Sequence, residues 1–155
     1  MIRPARPDDI PTLAEFQIRM AWETESKRLE LDTVRAGITA VLDDPAKGFY
    51  RVAERDGRLV GALMITREWS DWRNRFAWYI QSVYVVPEAR TQGVFRRLYQ
   101  HVLDMATEHG VHQVRLYVEK SNDPAQRAYR RLGMTPLPYE MFEVDVETIT
   151  STRNP

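Results

Sequence analysis

Two short stretches of the chain carry residues whose types and spacing suit anion binding and proton transfer. The first is Arg90-x-x-Gly93-x-Phe95, which follows an apolar segment and begins a helical pattern. Glycine lets the backbone approach a ligand closely, and a helix N-terminus offers unpaired N–H groups and roughly half a positive charge. We therefore predict that this turn binds a phosphate or pyrophosphate. The second stretch contains Tyr129, whose phenol is neutral at pH 7 and can donate a proton to a leaving group.

The segments around the first stretch are predicted to hold its turn in place. The residues from 79 to 86 are mostly β-branched or aromatic, as in a buried strand, and Pro87 ends that strand. Four apolar residues then share one helical face: Val94, Leu98, Val102 and Met105. Gly110 is placed to close this helix in a left-handed cap. A strand, a tight turn and a helix are thus expected in direct succession.

The second stretch is Asn122-x-x-Ala125-x-x-x-Tyr129-x-x-Leu132-Gly133-Met134, and its spacing predicts a helix. Asn122 or Asp123 is expected to cap this helix, with Pro124 in its first turn. In their order and separation, the two stretches resemble the two signatures of the GNAT superfamily of N-acetyltransferases. The resemblance covers about half of the chain, from the central strand to Met134.

The resemblance implies acetyl-CoA as co-substrate, with its pyrophosphate on the first turn and its pantetheine arm along strand four. The residues assigned to acetyl-CoA are Val83, Tyr84, Val85, Arg90, Thr91, Gln92, Gly93, Val94, Phe95, Arg96, Asn122, Ala125 and Tyr129. The family has Gly or Ala where this chain has Phe95. A ring that points away leaves the backbone N–H groups available, whereas a ring that points inward blocks the turn.

The resemblance also implies that Tyr129 protonates the departing CoA thiolate, with its hydroxyl aimed toward the cleft between strands four and five. Many family members have Glu or Asp in strand four where this chain has Gln81 and Ser82, which are not bases. A carboxylate elsewhere, or a chain of waters, must then accept the proton of the amine. The candidates are Glu23, Glu25, Glu68 and Asp71, and we assign Glu25 as the base. The residues expected to contact the acceptor are Trp22, Glu23, Glu25, Trp69 and Gln81.

Three tryptophans, Trp69, Trp72 and Trp78, stand among arginines before and within strand four. Such a surface could stack on single-stranded nucleic acid. The chain has 22 Lys and Arg against 22 Asp and Glu, however, so it lacks the positive field that attracts a polyanion. We therefore expect no nucleic-acid partner and assign the aromatic residues to an acceptor pocket or to a subunit contact in a homodimer.

Composition narrows the setting in which the protein works. The absence of cysteine excludes disulfides and thiolate nucleophiles, which fits a reducing compartment. The three histidines show no metal-ligand spacing with carboxylates, so no metal is expected. No apolar run approaches the roughly 20 residues that a membrane helix needs, and the start has no apolar signal core. We expect no membrane partner and a cytoplasmic location.

The predicted order of elements, β-α-α-β-β-β-α-β-α-β, is typical of an α+β domain with a mixed sheet. The resemblance makes this the GNAT-type fold, in which helices flank a central, mostly antiparallel sheet with splayed strands four and five. The 155 residues are expected to form one domain over 1–147 with a tail over 148–155.

Several boundaries are predicted from capping residues, turn residues and apolar patterns in the sequence. The first helix is expected to end near Trp22, and residues 23–31 to form an exposed connection to a second helix capped by Asp32. The turn Asp56-Gly57 should join strands two and three as a hairpin, and residues 67–74 should connect strands three and four. Alternating apolar and acidic residues predict a last strand over residues 140–146.

These observations lead to one expected function and one alternative. The expected function is transfer of an acetyl group from acetyl-CoA to a primary amine, on a small molecule or a peptide, by direct attack on the thioester. A backbone N–H near Val83–Val85 would polarise the carbonyl. The alternative is a non-catalytic acyl-CoA sensor or protein-interaction module on the same fold, favoured by Phe95 and by the missing carboxylate in strand four.

Overall fold

The structure is a computed structural model that describes residues 1–147. The chain divides into two compact units, Met1–Glu119 and Lys120–Pro155. The elements of the first unit are β1 (Ile2–Pro4), α1 (Ile10–Glu25), α2 (Leu31–Asp43), β2 (Phe49–Arg55), β3 (Arg58–Ser70), β4 (Arg75–Val85), α3 (Val94–Glu108) and β5 (Gln113–Leu116). The second unit contains α4 (Asp123–Arg131). The predicted single domain over 1–147 stays a prediction, and the predicted tail lies outside the described residues.

The first unit is built on one five-stranded sheet with the order β1-β2-β3-β4-β5. Consecutive strands pair antiparallel, except that β4 and β5 run parallel because α3 crosses over between them. The predicted α+β class with a mostly antiparallel mixed sheet is confirmed. The hairpin at Asp56-Gly57 is also present, with both residues at positive φ.

A bulge and an early loss of pairing shape the middle of β4. Its pairing with β3 shifts register between Ser82 and Ile80, so Gln81 is the extra residue. Its pairing with β5 covers only Ala77–Ile80, although β4 continues to Val85. The second half of β4 therefore presents an edge that β5 does not cover, which agrees with the expected splay.

Helices α1 and α3 pack on opposite faces of the sheet. On one face, the ring of Phe16 in α1 lies 5.2 Å from that of Tyr84 in β4. On the other face, Arg51 Nε of β2 lies 3.3 Å from the sulfur of Met105 in α3. The largest fully buried side chains join these layers and are Leu13, Leu63, Ile65, Leu98, Val52, Val94 and Val102. None of the helices within residues 1–147 has the length and apolar character needed to cross a bilayer.

Several predicted boundaries of the first unit were wrong. Helix α1 continues through Glu25 and ends at Ser26, which takes a left-handed conformation, so Glu23 and Glu25 are helical. Helix α2 begins at Leu31 and has Glu30 at its N-cap, so Asp32 lies in the first turn. Strand β3 extends to Ser70, because cross-strand partners such as Phe76 prolong the hairpin beyond β2. Trp69 is therefore a strand residue.

The second unit departs from the prediction after its helix. Helix α4 lies as expected, but no strand forms over residues 140–146. The apolar side chains of this stretch are exposed, Phe142 at 92% and Val144 at 67%. Alternation describes which side chains share a face, but a strand also needs a hydrogen-bonding neighbour. The predicted last strand was therefore wrong.

Candidate active site

The turn between β4 and α3 is formed by two residues at positive φ. Thr91 has φ 61° and Gly93 has φ 74°. Gly93 is the N-cap of α3 and offers no side-chain cap, and the N–H of Arg97 is the donor to its carbonyl at 3.1 Å. The N–H groups of the first turn, at residues 94–96, thus have no intrahelical acceptor. The expected succession of strand, turn and helix is therefore present, and anion binding by the turn stays a prediction.

Arginine side chains hold Gln92, the residue before the helix start. Its Oε1 accepts a hydrogen bond from Arg55 Nη1 at 2.7 Å, and its carbonyl accepts one from Arg97 Nη1 at 3.1 Å. Its Nε2 donates to the carbonyl of Glu88 at 2.7 Å. The turn is therefore ordered by its own neighbours, and two arginine side chains lie against it, which favours an anion.

Arg90 is held at the end of β4 by several contacts. Its Nε donates to the carbonyl of Val85 at 2.9 Å, and its Nη2 donates to Glu23 Oε2 at 2.6 Å. Its guanidinium lies 5.5 Å from the ring centroid of Tyr84, whose hydroxyl donates to Glu23 Oε1 at 2.9 Å. Partial burial disfavours the charged form of Glu23, but the hydrogen bonds from Arg90 and Tyr84 outweigh it and lower the pKa of this carboxyl.

Phe95 departs from the family pattern in the first turn of α3. Its side chain is half-buried, and its ring lies 6.1 Å from that of Tyr99, one turn further along the same helix. Tyr99 itself is buried, as are Val94 and Leu98. The two rings are tilted by 39°, so Phe95 contacts the next turn of its own helix.

The strand edge assigned to the pantetheine arm lies directly before this turn. Val83 and Val85 pair with Leu63 and Gly61 of β3 on one side. On the other side, the pairing with β5 has already ended at Ile80. A ligand could therefore extend the sheet along Val83–Val85 by backbone hydrogen bonds.

The residues assigned to the acceptor do not form one cluster. Trp22 and Glu25 are exposed near the end of α1, and Gln81 is exposed at the bulge of β4. Trp69 is half exposed and packs edge-to-face on Phe76, with ring centroids 4.9 Å apart. Phe76 precedes Gln81 by five residues, so Trp69 lies roughly 16 Å along the strand from the bulge. One small acceptor group could not contact both Trp69 and Gln81.

The second unit holds the other predicted residues on α4. Asn122 caps the helix, since its Oδ1 accepts a hydrogen bond from the N–H of Ala125 at 3.2 Å. Tyr129 is half-buried, and burial raises the pKa of its phenol. The phenol is therefore protonated at neutral pH, as a proton donor must be.

The sequence matches the acetyltransferase (GNAT) family over residues 9–134. The chain belongs to the GNAT acetyltransferase family. A solved structure of a possible acetyltransferase from Clostridium difficile 630 is 41% identical, covers 94% of this chain and 97% of its own, and superposes with a TM-score of 0.89.

Curated GNAT relatives carry different names. A mycothiol acetyltransferase from Corynebacterium aurimucosum is 31% identical over 118 residues, which are 74% of this chain and 39% of that protein. A Bacillus subtilis protein provisionally named as an alanine N-acetyltransferase of ribosomal protein bS18 is 31% identical over 138 residues, 87% of this chain and 80% of its own. The chain thus spans less than half the length of the mycothiol acetyltransferases that it matches.

Sequence reasoning missed three features of this GNAT site. Arg55 reaches Gln92 from the end of β2, and no local pattern connects residues 37 positions apart. The pairing of Glu23 with Arg90 spans 67 positions and was equally hidden. Arg97 could have been found, because it lies one helical turn after Gly93 and its long side chain can reach back to the turn.

Proposed function

We propose that this protein is an acetyl-CoA-dependent N-acetyltransferase that acts on a primary amine. The observation that carries the proposal is the start of α3, where Gly93 leaves the first N–H groups uncapped beside Arg55 and Arg97. Such a site suits the pyrophosphate of coenzyme A. Membership of the GNAT family supports acetyl-CoA as the co-substrate.

The proposed reaction is direct transfer. The neutral amine attacks the thioester carbonyl, a C–N bond forms, and the C–S bond breaks with its electron pair leaving on sulfur. A backbone N–H near Val83–Val85 stabilises the developing oxyanion, and Tyr129 gives its proton to the thiolate. The nitrogen then loses one proton to a base.

Glu25 is the proposed base, acting directly or through water. It is exposed near the end of α1, so it can reach a solvent-borne acceptor. Glu23 is less suitable, because its hydrogen bonds from Arg90 and Tyr84 lower its pKa and make it a weaker proton acceptor. Trp22 and Gln81 are proposed to contact the acceptor, and Trp69 is better suited to a subunit contact in a homodimer.

The acceptor is proposed to be an amine on a small molecule or a peptide. The names of relatives mention molecules as different as mycothiol, streptothricin and an alanine of a ribosomal protein. The family therefore supports the chemistry but does not select one acceptor.

An activity assay tests the proposal. Purified protein is mixed with acetyl-CoA and a panel of amines that includes amino acids, polyamines and peptides with free N-termini, and released CoA thiol is measured. We expect thiol release that depends on one class of amine and that is lost in Gly93→Asp. CoA binding without turnover on any amine would instead support the non-catalytic sensor, and no CoA binding at all would contradict both.

A further inference from the structure

The contact between Glu23 and Arg90 joins two parts of the first unit that the reaction uses separately. Glu23 lies in the last turn of α1, directly before the connection to α2. Arg90 is the first residue of the turn that leads to Gly93. The two side chains meet at 2.6 Å although 67 positions separate them. The end of α1 is thereby tied to the start of the anion-binding turn.

An ion pair with this exposure is ordinarily weak. The side chain of Arg90 is 44% exposed and that of Glu23 is 38% exposed, and isolated surface pairs of this kind contribute little to stability. Here, however, each partner is held by a second contact. Tyr84 donates to the other oxygen of Glu23, and the carbonyl of Val85 accepts from Arg90 Nε. The second contacts fix the geometry of the pair, and both come from the end of β4.

The charge of Glu23 makes its position informative. A carboxylate beside a pyrophosphate site repels the ligand, so an arrangement selected for attraction alone would not place one there. Glu23 instead directs Arg90, because a carboxylate accepts the guanidinium with defined geometry. The repulsion between Glu23 and the ligand is offset if binding of the ligand requires Arg90 to be held in one place.

We propose that Glu23 is a positioning residue for coenzyme A, which holds Arg90 at the start of the turn and links coenzyme A binding to the end of α1. The inference rests on the proposed function, since it takes coenzyme A as the ligand of the turn. It assigns to Glu23 a role through Arg90 rather than contact with the acceptor.

The direction in which Glu23→Gln changes the affinity for coenzyme A distinguishes a positioning role of Glu23 from a purely electrostatic one. Calorimetry with coenzyme A is carried out on the wild type, Glu23→Gln, Arg90→Gln and the double variant. Removal of a negative charge by itself would strengthen binding of an anion. Positioning predicts the opposite: Glu23→Gln binds coenzyme A about fivefold more weakly, at the lower end of usual coupling effects. The double variant should bind no more weakly than Arg90→Gln alone.

Asp44→Asn is the matched control. Asp44 forms a comparable exposed ion pair with Lys47, and asparagine can keep its contact to the N–H of Ala46. This control should leave affinity for coenzyme A unchanged. Unchanged or tighter binding by Glu23→Gln, or losses that multiply in the double variant, would overturn the proposal.

Hydrogen exchange of the unliganded protein provides a second test that does not need a ligand. Glu23→Gln should speed exchange in two peptides at once, one covering residues 23–30 and one covering residues 86–90, in which the N–H groups of Val86, Ala89 and Arg90 are hydrogen-bonded. Faster exchange in the first peptide alone, or in neither, would overturn the link. If the wild type does not bind coenzyme A, the proposed function fails, while this measurement still decides whether Glu23 orders the turn.

Discussion

Helices α3 and α4 begin in opposite ways. Helix α3 starts at Gly93, which has no side chain to cap it, and its first turn contains no acidic residue. Helix α4 starts at Asn122, whose side chain accepts from the N–H of Ala125, and Asp123 lies in its first turn. Both helices follow the general rule that the first N–H groups need acceptors. In α4 the chain provides an acceptor, whereas in α3 no side chain caps the helix, and we propose that a ligand supplies the acceptors there.

This difference shows how a binding site can be distinguished from an ordinary helix start. An asparagine cap and an aspartate together satisfy the positive end of a helix and discourage an external anion. A glycine with arginines nearby has the reverse effect. We therefore propose anion binding at the start of α3 and not at the start of α4, where Tyr129 is instead the proposed proton donor.

The largest expected effect tests the assignment of chemistry to α4. Tyr129→Phe keeps the ring, so packing and coenzyme A binding should survive while the proton donor is lost. General acid catalysis typically contributes about 10²–10⁴-fold, so kcat should fall within that range if thiolate departure limits the rate. Burial raises the pKa of the phenol, so the wild type should retain its donor throughout the neutral pH range. Full kcat in a variant with normal melting would remove Tyr129 from the mechanism.

The next largest effect tests the uncapped N-terminus of α3. Gly93→Asp places a negative charge where the phosphate would approach, at a residue with φ 74°. The new carboxylate would repel the phosphate and would itself interact with the positive end of α3. Coenzyme A binding, measured by calorimetry, should therefore weaken by about 100-fold. Gly110→Asp is the control, because Gly110 also has positive φ but lies beyond the other end of α3. Equal losses of affinity in the two variants would show that backbone strain, and not the site, is responsible.

A smaller effect concerns the ring of Phe95 in the first turn of α3. Phe95 is half-buried against Tyr99, so Phe95→Ala should lower the free energy of unfolding by about 1–2 kcal/mol, less than a fully buried ring. Affinity for coenzyme A per folded molecule should not change, because the backbone supplies the contacts. Chemical denaturation and calorimetry together measure both quantities. Tighter binding by a stable variant would mean that the ring obstructs the turn.

The smallest effect concerns the N-terminus of α4, which Asn122 caps. Asn122→Ala removes the cap and should cost about 1 kcal/mol, visible as faster hydrogen exchange in residues 122–126. Asn122→Ser should restore most of this loss, since serine also caps well. If the serine variant is stable but binds coenzyme A more weakly, the amide of Asn122 contacts the cofactor as the family resemblance implies.

Local patterns predicted the parts of this molecule that local physics controls. The face Val94, Leu98 and Val102 is buried as its spacing indicated, and Gly110 takes the expected left-handed conformation. Boundaries were predicted less well where tertiary contacts prolong an element. Helix α1 reaches Glu25 and β3 reaches Ser70, because partners elsewhere in the chain support the extra residues. The alternation over residues 140–146 was misleading, because it shows which side chains share a face but does not show whether a neighbouring strand is present to pair with.

The sequence by itself determined the strand, turn and helix around Gly93 and the capped helix of Asn122, because glycine, proline and apolar spacing act over a few residues. It also determined the family, through two motifs in a fixed order. Only the tertiary structure decided that β4 is left uncovered after Ile80, that Gln81 forms a bulge, and that Glu23 meets Arg90. Such contacts join residues far apart in the chain, so they depend on how the whole sheet and its helices pack rather than on any local pattern.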